Sequence, residues 1–442
     1  MPLSGGGIDR EHRRVVLAAM VGTTIEWYDF FIYAICAGLV FAGQYFAALG
    51  PNALILSFAT VGISFVFRPV GAVLAGQLGD RFGRRAMLIA TLLLMGVSTV
   101  LMGLVPAASS IGVAAPVILV LLRILQGLSA GGEWGGAALL AVEHAPPERR
   151  GLYGAFPQIG VPIGLLLANG VLALVSALTT PGQFLAWGWR IPFLLSVVLI
   201  VVGLLIRSRV AESPVFEEVR RAGSAPVPLG ALFRERGRLV LLGALLFAAN
   251  SAVGYMTTGG YVQSYAVKSL HLDPAAVLAS VMASAAVWLV STLAGGWLAD
   301  RWGRVRVYQA GFVLQLIWMV PFFALVDLAT IPALVLALML YAVGLGFTYG
   351  PQSALYAEMF PTRVRYRGAA IAYALGSVLG GAFAPTIAEA LRTTTGTVYS
   401  IGGYLAGMTV IGLLASVFIP DRPGIPLNPP ATPARPEAKP FS

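Results

Sequence analysis

Four ionisable residues, Glu26, Asp29, Arg123 and Glu133, stand inside long apolar stretches of this 442-residue chain. If those stretches cross a bilayer, each such group costs about 2.5–3.5 kcal/mol to insert, and groups kept there mark ion and substrate pathways more often than scaffolds. Glu26 and Asp29 are three residues apart, so on a helix they share a face. At a rise of about 1.5 Å per residue, Glu26 falls near the middle of its stretch and Asp29 roughly a turn further along. Arg123 enters its own stretch from the other side and reaches the level of Asp29. The spacing predicts an ion pair between Arg123 and Asp29 or Glu26 that offsets the burial. A buried carboxyl holds its proton more tightly, and a neighbouring guanidinium loosens it. A bound carboxylate competing for Arg123 would therefore change proton affinity, which makes Glu26, Asp29 and Glu133 candidates for proton coupling. The competing reading is a permanent structural pair and, for Glu133 in GGEWGG, a partner for a loop arginine.

Tyr28, Gln126, Gln158, Asn250 and Tyr255 join Arg123 as candidates for contacting a small-molecule substrate. Asn169 and Gln352 belong to the same polar group. Each is equally a residue that packs or hydrogen-bonds between helices; Asn250 and Tyr255 are favoured because Gly254, Gly259 and Gly260 let their helix bend. Arg68 is near enough to the end of its stretch to snorkel. Glu389 and Arg392 are expected to pair locally.

The elements that position these residues follow from composition. The chain is 58% hydrophobic and 11% charged, whereas soluble domains carry about 25% charged residues. Lipid must be its main solvent. A single cysteine, Cys36, excludes an internal disulfide, and three histidines leave no metal constellation. No metal, cofactor or enzyme chemistry is expected. The net charge of +10 is spread through short gaps between apolar runs, which excludes a nucleic-acid face.

Twelve stretches are long enough to span as helices: 15–40, 53–75, 87–105, 113–142, 152–177, 189–206, 239–267, 275–299, 307–325, 331–357, 369–391 and 399–419. The expected fold is an all-α membrane protein of twelve transmembrane helices in two pseudo-symmetric six-helix bundles, 15–206 and 239–419. Between them lies a linker, 207–238, whose AESPVFEEVRRAG reads as a short amphipathic helix. The tail, 420–442, has eight prolines in 23 residues and reads as disordered. The first stretch carries Glu26 and Asp29 and no small-residue cleavage site, so it is read as a retained span and not as a signal peptide. With residues 1–14 cytoplasmic, 24 of the 29 basic residues fall in cytoplasmic segments and three, Arg190, Lys268 and Arg392, outside. Both termini are then cytoplasmic, in a bacterial inner membrane, and the chain is expected to be a monomer among lipids.

Two charged gaps repeat. GQLGDRFGRR, 76–85, returns as GGWLADRWGR, 295–304, with Asp80 and Asp300 220 residues apart. EHAPPERRG, 143–151, returns as EMFPTRVRYRG, 358–368. Gly76 and Gly83 permit tight backbone approach. Asp80 and Asp300 can accept from helix N-terminal amides or pair with arginines. Together with Arg81, Arg84, Arg85, Glu143, Arg150, Arg301, Arg304, Glu358 and Arg365 they are candidates for a lock holding one face of the two bundles together. The alternative is that the arginines only fix topology.

These residues resemble the major facilitator superfamily: GQLGDRFGRR is similar to its loop signature between spans two and three, and Arg123-Ile-Leu-Gln126-Gly127 to its signature in span four. Within it, TTIEWYDFFIYA, FRPVGA, RILQGLSAGGEWGGAALLAVEHAP and WGWRIPF resemble the metabolite:H+ symporter family, in its branches for shikimate-like acids and unassigned metabolites. The resemblance implies proton-gradient-driven uptake of a small metabolite by alternating access, the arginine suggesting an organic acid or zwitterion. The alternative is a proton-coupled antiporter exporting drugs or metabolites; Gly160-Val-Pro162-Ile-Gly164 lacks the Gly-Pro dipeptide that such exporters carry in span five.

Overall fold

Backbone amides in hydrocarbon must be satisfied within their own segment, and this apolar chain does so with helices. The computed structural model describes residues 7–82, 84–207, 229–257, 261–361, 364–425 and 427; the side chains at 7–14, 76, 79–82, 84–86, 88, 207, 229 and 255–257 lie outside that description. Among the described residues eleven helices are long and apolar enough to cross a membrane: Val15–Gln44, Ala47–Ala75, Ala114–Glu143, Pro147–Leu178, Gly188–Ile206, Gly230–Gly254, Pro274–Trp302, Arg304–Val326, Ile331–Met359, Arg365–Thr395 and Tyr399–Val417. A shorter apolar helix, Ile89–Leu104, takes the third position. These are spans one to twelve, six on each side of the linker. Outward faces carry apolar side chains such as Leu121, Leu174, Val290 and Leu414, while Glu26, Asp29, Arg123, Gln158 and Asn250 are buried. That is the reverse of a water-soluble surface. The amphipathic helix expected in the linker lies outside the described residues.

The internal repeat is visible in how helices cross. A Cβ built on Gly127 or Gly131 of span four would come within 2.2 Å of the Ser64 carbonyl oxygen or 2.0 Å of that of Arg68 in span two. In the second half, Gly346 and Gly350 of span ten stand as close to Ser291 and Gly296 of span eight. Gly160 and Gly164 press span five on span one, and Gly376 and Gly380 press span eleven on span seven. Small residues four apart let membrane helices approach until backbones touch, where packing and not hydrophobic driving force supplies the attraction. The halves meet along two further crossings, Gly151 against Gly296 (spans five and eight) and Gly62 against Ala382 (spans two and eleven).

Three spans expected to be continuous are interrupted; span eleven breaks at residues 382 and 383, after a π turn at Ser377–Gly381. Span four breaks at residues 131 and 132, between Ala114–Ala130 and Glu133–Glu143, and span ten at 350 and 351, between Ile331–Tyr349 and Gln352–Met359. Glycine pairs and Gly-Pro are poor helix interiors. Span one widens into a π turn at Ala37–Phe41. Carbonyls there accept from outside the helix: Ser57 Oγ donates to Ala37 (2.7 Å) and Ser264 Oγ to Gly38 (3.3 Å).

Candidate functional site

Away from the two membrane faces, the buried charges among the described residues fall in the first half. Glu26 Oε1 pairs with Arg68 Nη2 at 3.4 Å, both side chains 2% exposed. The Arg68 guanidinium lies over the rings of Phe65 (4.5 Å) and Trp27 (5.8 Å). Arg68 was expected to snorkel; instead it turns inward, where a carboxylate and two ring faces replace water. Asp29 is fully buried, with one carboxylate oxygen accepting from Ser196 Oγ of span six (2.6 Å) and the other without a hydrogen-bond partner. The expected Asp29–Arg123 ion pair does not form. Arg123 donates to Gln126, to Ser64 Oγ (2.9 Å) and to the Val61 carbonyl (3.0 Å), and lies 4.0 Å over the ring of Tyr33. Its hydrogen bonds go to span two and to its own helix, and its ring contact to span one, since rotation about the helix axis turns Arg123 toward the close crossing at Gly127. Gln126 also donates to Thr99 Oγ1 (2.9 Å). Tyr28 donates to the Pro192 carbonyl (2.8 Å), so its hydroxyl serves a helix contact. Glu133 is buried at the first turn after the break in span four.

The two halves meet at mid-depth through aromatic rings. Trp134 of span four stacks on Tyr373 of span eleven (3.8 Å, 5°), which stacks on Phe247 of span seven (4.0 Å). Tyr356 of span ten meets Trp134 edge-on at 5.5 Å. Trp134 Nε1 donates to Gln158 Oε1 (3.0 Å), leaving Gln158 Nε2 buried and unpartnered. On the other side Asn250 donates to Gln352 Oε1 (3.3 Å) and accepts from Thr348 Oγ1 (2.5 Å), while Gln352 Nε2 is buried and unpartnered. Sequence reading missed the ring joint. Trp134 stood inside GGEWGG, where only the glutamate drew attention, and nothing in sequence pairs it with Tyr373. Tyr255 lies outside the described side chains.

Charged contacts tie the halves together on the face carrying the repeated gaps, the hinge face. Asp300 accepts from the first amides of span five, Gly151 N (2.7 Å) and Leu152 N (2.9 Å), and pairs with Arg304 (2.7 Å). A carboxylate at a helix N-terminus meets both free amides and the positive end of the dipole. Arg304 also reaches Glu358 (3.2 Å), and Arg150 approaches Glu358 from the other half (3.7 Å). In the opposite sense Arg365 pairs with Glu143 (3.6 Å), and Tyr366 donates to the Gly132 carbonyl (3.0 Å). Arg301, expected in the lock, stands apart from it: one position beyond Asp300 it faces outward, over the ring of Trp297 at 3.8 Å, and takes no part in the described network. The side chains of Asp80, Arg81, Arg84 and Arg85, the surroundings of Gly76, and Gly83 lie outside the described residues. On the opposite face Gln263, on the short helix Tyr261–Lys268, donates to Asn169 of span five (2.9 Å), and Glu389 and Arg392 form the expected local pair (2.7 Å).

Two six-helix halves related by an internal repeat, with buried polar groups between them and ion pairs across one face, make up a two-bundle membrane transporter. The chain belongs to the Major Facilitator Superfamily, which it matches over residues 19–385 and 290–441. It is 43% identical over 411 residues to the inner membrane metabolite transport protein YhjE of Escherichia coli, covering 91% of this chain and 92% of that one. It is 37% identical over 416 residues to the shikimate transporter of Escherichia coli (92% and 94% covered) and 32% over 440 residues to that organism's proline/betaine transporter (96% and 87%). A solved structure of the proton:xylose symporter XylE superposes with a TM-score of 0.75 at 21% identity, covering 94% of this chain and 97% of that one, a likeness of fold. The chain is a multi-pass membrane transporter and not an enzyme.

Proposed function

We propose that this protein is a proton-coupled symporter taking up a small organic acid or zwitterion, with both termini cytoplasmic and the hinge face inside. The observation that carries the reading is an asymmetry. Among the described residues, charges buried at mid-depth (Glu26, Asp29, Arg68, Arg123 and Glu133) all lie in the first half, while the second half presents neutral Asn250, Thr348 and Gln352. Proton and charge are handled on one side of the interface, and hydrogen bonding to substrate is shared. Gln158 and Gln352, one in each half, each have an amide donor to spare, which suits a ligand with carboxylate or hydroxyl acceptors. Relatives named for shikimate and for proline and betaine agree with that class. Asp29, a buried carboxylate with one neutral donor, is the proposed proton carrier, assisted by Glu26 and Glu133. Arg123 would reach a substrate carboxylate by leaving Gln126. The hinge-face ion pairs form the lock that opens to release cargo.

The test is uptake in proteoliposomes with an imposed pH gradient, screening carboxylates and zwitterions. We expect gradient-dependent accumulation of at least one ligand that also stabilises the purified protein. Asp29→Asn should keep exchange of preloaded substrate and lose gradient-driven accumulation. Equal loss of both would move Asp29 to a binding or structural role, and absence of any gradient-dependent uptake would end the symport reading.

A further inference from the structure

The chain after span twelve does not leave the molecule at residue 420, as its proline content suggested. It turns back across the hinge face and enters the network that joins the halves. Asp421 Oδ1 accepts from the backbone amide of Arg304 (3.1 Å) beside Gly303, whose φ of 99° and lack of a Cβ leave room for that carboxylate. Three residues on, the Gly424 amide donates to Glu358 Oε1 (3.3 Å). Arg150 of the first half then donates to the Ile425 carbonyl (2.5 Å). Leu427 is 5% exposed, in a small apolar cluster with Leu139 and Val142 of span four and Ala354 and Ala357 of span ten, flanked by Tyr366 and Ile425.

The geometry points to a latch: we infer that residues 421–425 and Leu427 act as an intramolecular strap that favours the state in which the hinge face is closed. The strap is continuous with the second half through span twelve, yet its last contacts reach the first half as well, at Arg150, Leu139 and Val142. When the hinge face opens, Arg150 separates from Glu358, and span four separates from span ten. The strap cannot keep both sets of contacts, so opening must withdraw Leu427 and break the Arg150–Ile425 hydrogen bond. Each withdrawn contact favours closure, and a shift in the closed-to-open ratio follows from any change to the strap. The inference concerns access to the hinge face and holds whatever the cargo.

Its test therefore uses no substrate. In the full-length protein carrying Ala354→Cys, purified in detergent, alkylation by a hydrophilic maleimide reports exposure of the cleft beneath Leu427. Buried Cys36, in span one, serves as an internal reporter of unfolding. Leu427→Asp, and separately removal of residues 421–442, should raise the alkylation rate at position 354 by at least about ten-fold, since the loss of a buried leucine alone is enough for that in a two-state equilibrium. Cys36 should stay slow in both. No acceleration in either variant would overturn the latch. Acceleration at Cys36 in step with position 354 would also overturn it, since the strap would then be a brace for the fold and not a bias on access.

Discussion

Arg68 and Arg123, 55 residues apart in sequence, are satisfied in different ways within one bundle. Arg68 has a carboxylate, and Arg123 has a carbonyl, a hydroxyl, an amide and a ring face. Removing one partner of a buried pair leaves an uncompensated charge and costs about 3–5 kcal/mol, whereas replacing both with groups of similar shape is often neutral. We therefore expect Glu26→Gln and Arg68→Met each to lower the melting temperature of the purified protein markedly. The double variant should recover most of the loss. Losses that simply add would mean the two residues act through separate neighbours. The presence of Glu26, Asp29 and Arg123 inside spans was legible in sequence because apolar context makes a charge conspicuous. Their partners were not, because a pairing depends on helix rotation and on which helix packs alongside. Ser196, the donor to Asp29, is one small polar residue in an apolar run and gives no sequence signal at all.

At the scale of elements, the twelve spans and their division into halves could be read from hydropathy and the repeated gaps, since both depend on local composition. The interruptions in spans four and ten, and the glycine crossings beneath them, could not. Glycine is frequent throughout a chain with 52 of them, and only the packing separates those that hold a crossing from those that face open space. Gly131 and Gly380 would put a Cβ 2.0 Å and 1.8 Å from a neighbouring backbone oxygen, while Gly403 and Gly407 of span twelve have nothing within 4 Å. Gly131→Ala or Gly380→Ala forces backbones apart, and overpacking of this kind costs about 1–3 kcal/mol or more. Gly403→Ala should instead be neutral or stabilise by up to about 1 kcal/mol, through the lower helix propensity of glycine. Thermal denaturation of the three variants in one detergent checks the contrast, and equal melting temperatures would refute it.

Across the whole molecule, the described hinge-face contacts run from each half to the other: Asp300 to the start of span five, and Arg365 to Glu143. Asp300 holds the first amides of span five, and Arg304 joins it to Glu358. The matching residues of the other half are Asp80, Arg84 and Glu143, with Gly368 opening span eleven as Gly151 opens span five. Glu143 already pairs across the halves with Arg365. From the repeat alone, Asp80 is expected to matter to the hinge face as Asp300 does. An asparagine in place of either aspartate keeps one acceptor oxygen but loses the charge and the second acceptor. A hydrogen bond to a charged group contributes about 1.5–3 kcal/mol, so each substitution should shift the closed-to-open ratio of the hinge face by about ten-fold or more. Spin labels at exposed Glu148→Cys and Arg301→Cys, on spans that meet when this face is closed, would measure it as growth of a longer-distance population. Asp300→Asn and Asp80→Asn should produce it to a similar extent, and the double variant more than either. Broadening by Asp300→Asn with an unchanged distribution in Asp80→Asn would mean that one half carries the lock and that the repeated sequence around Asp80 serves topology alone.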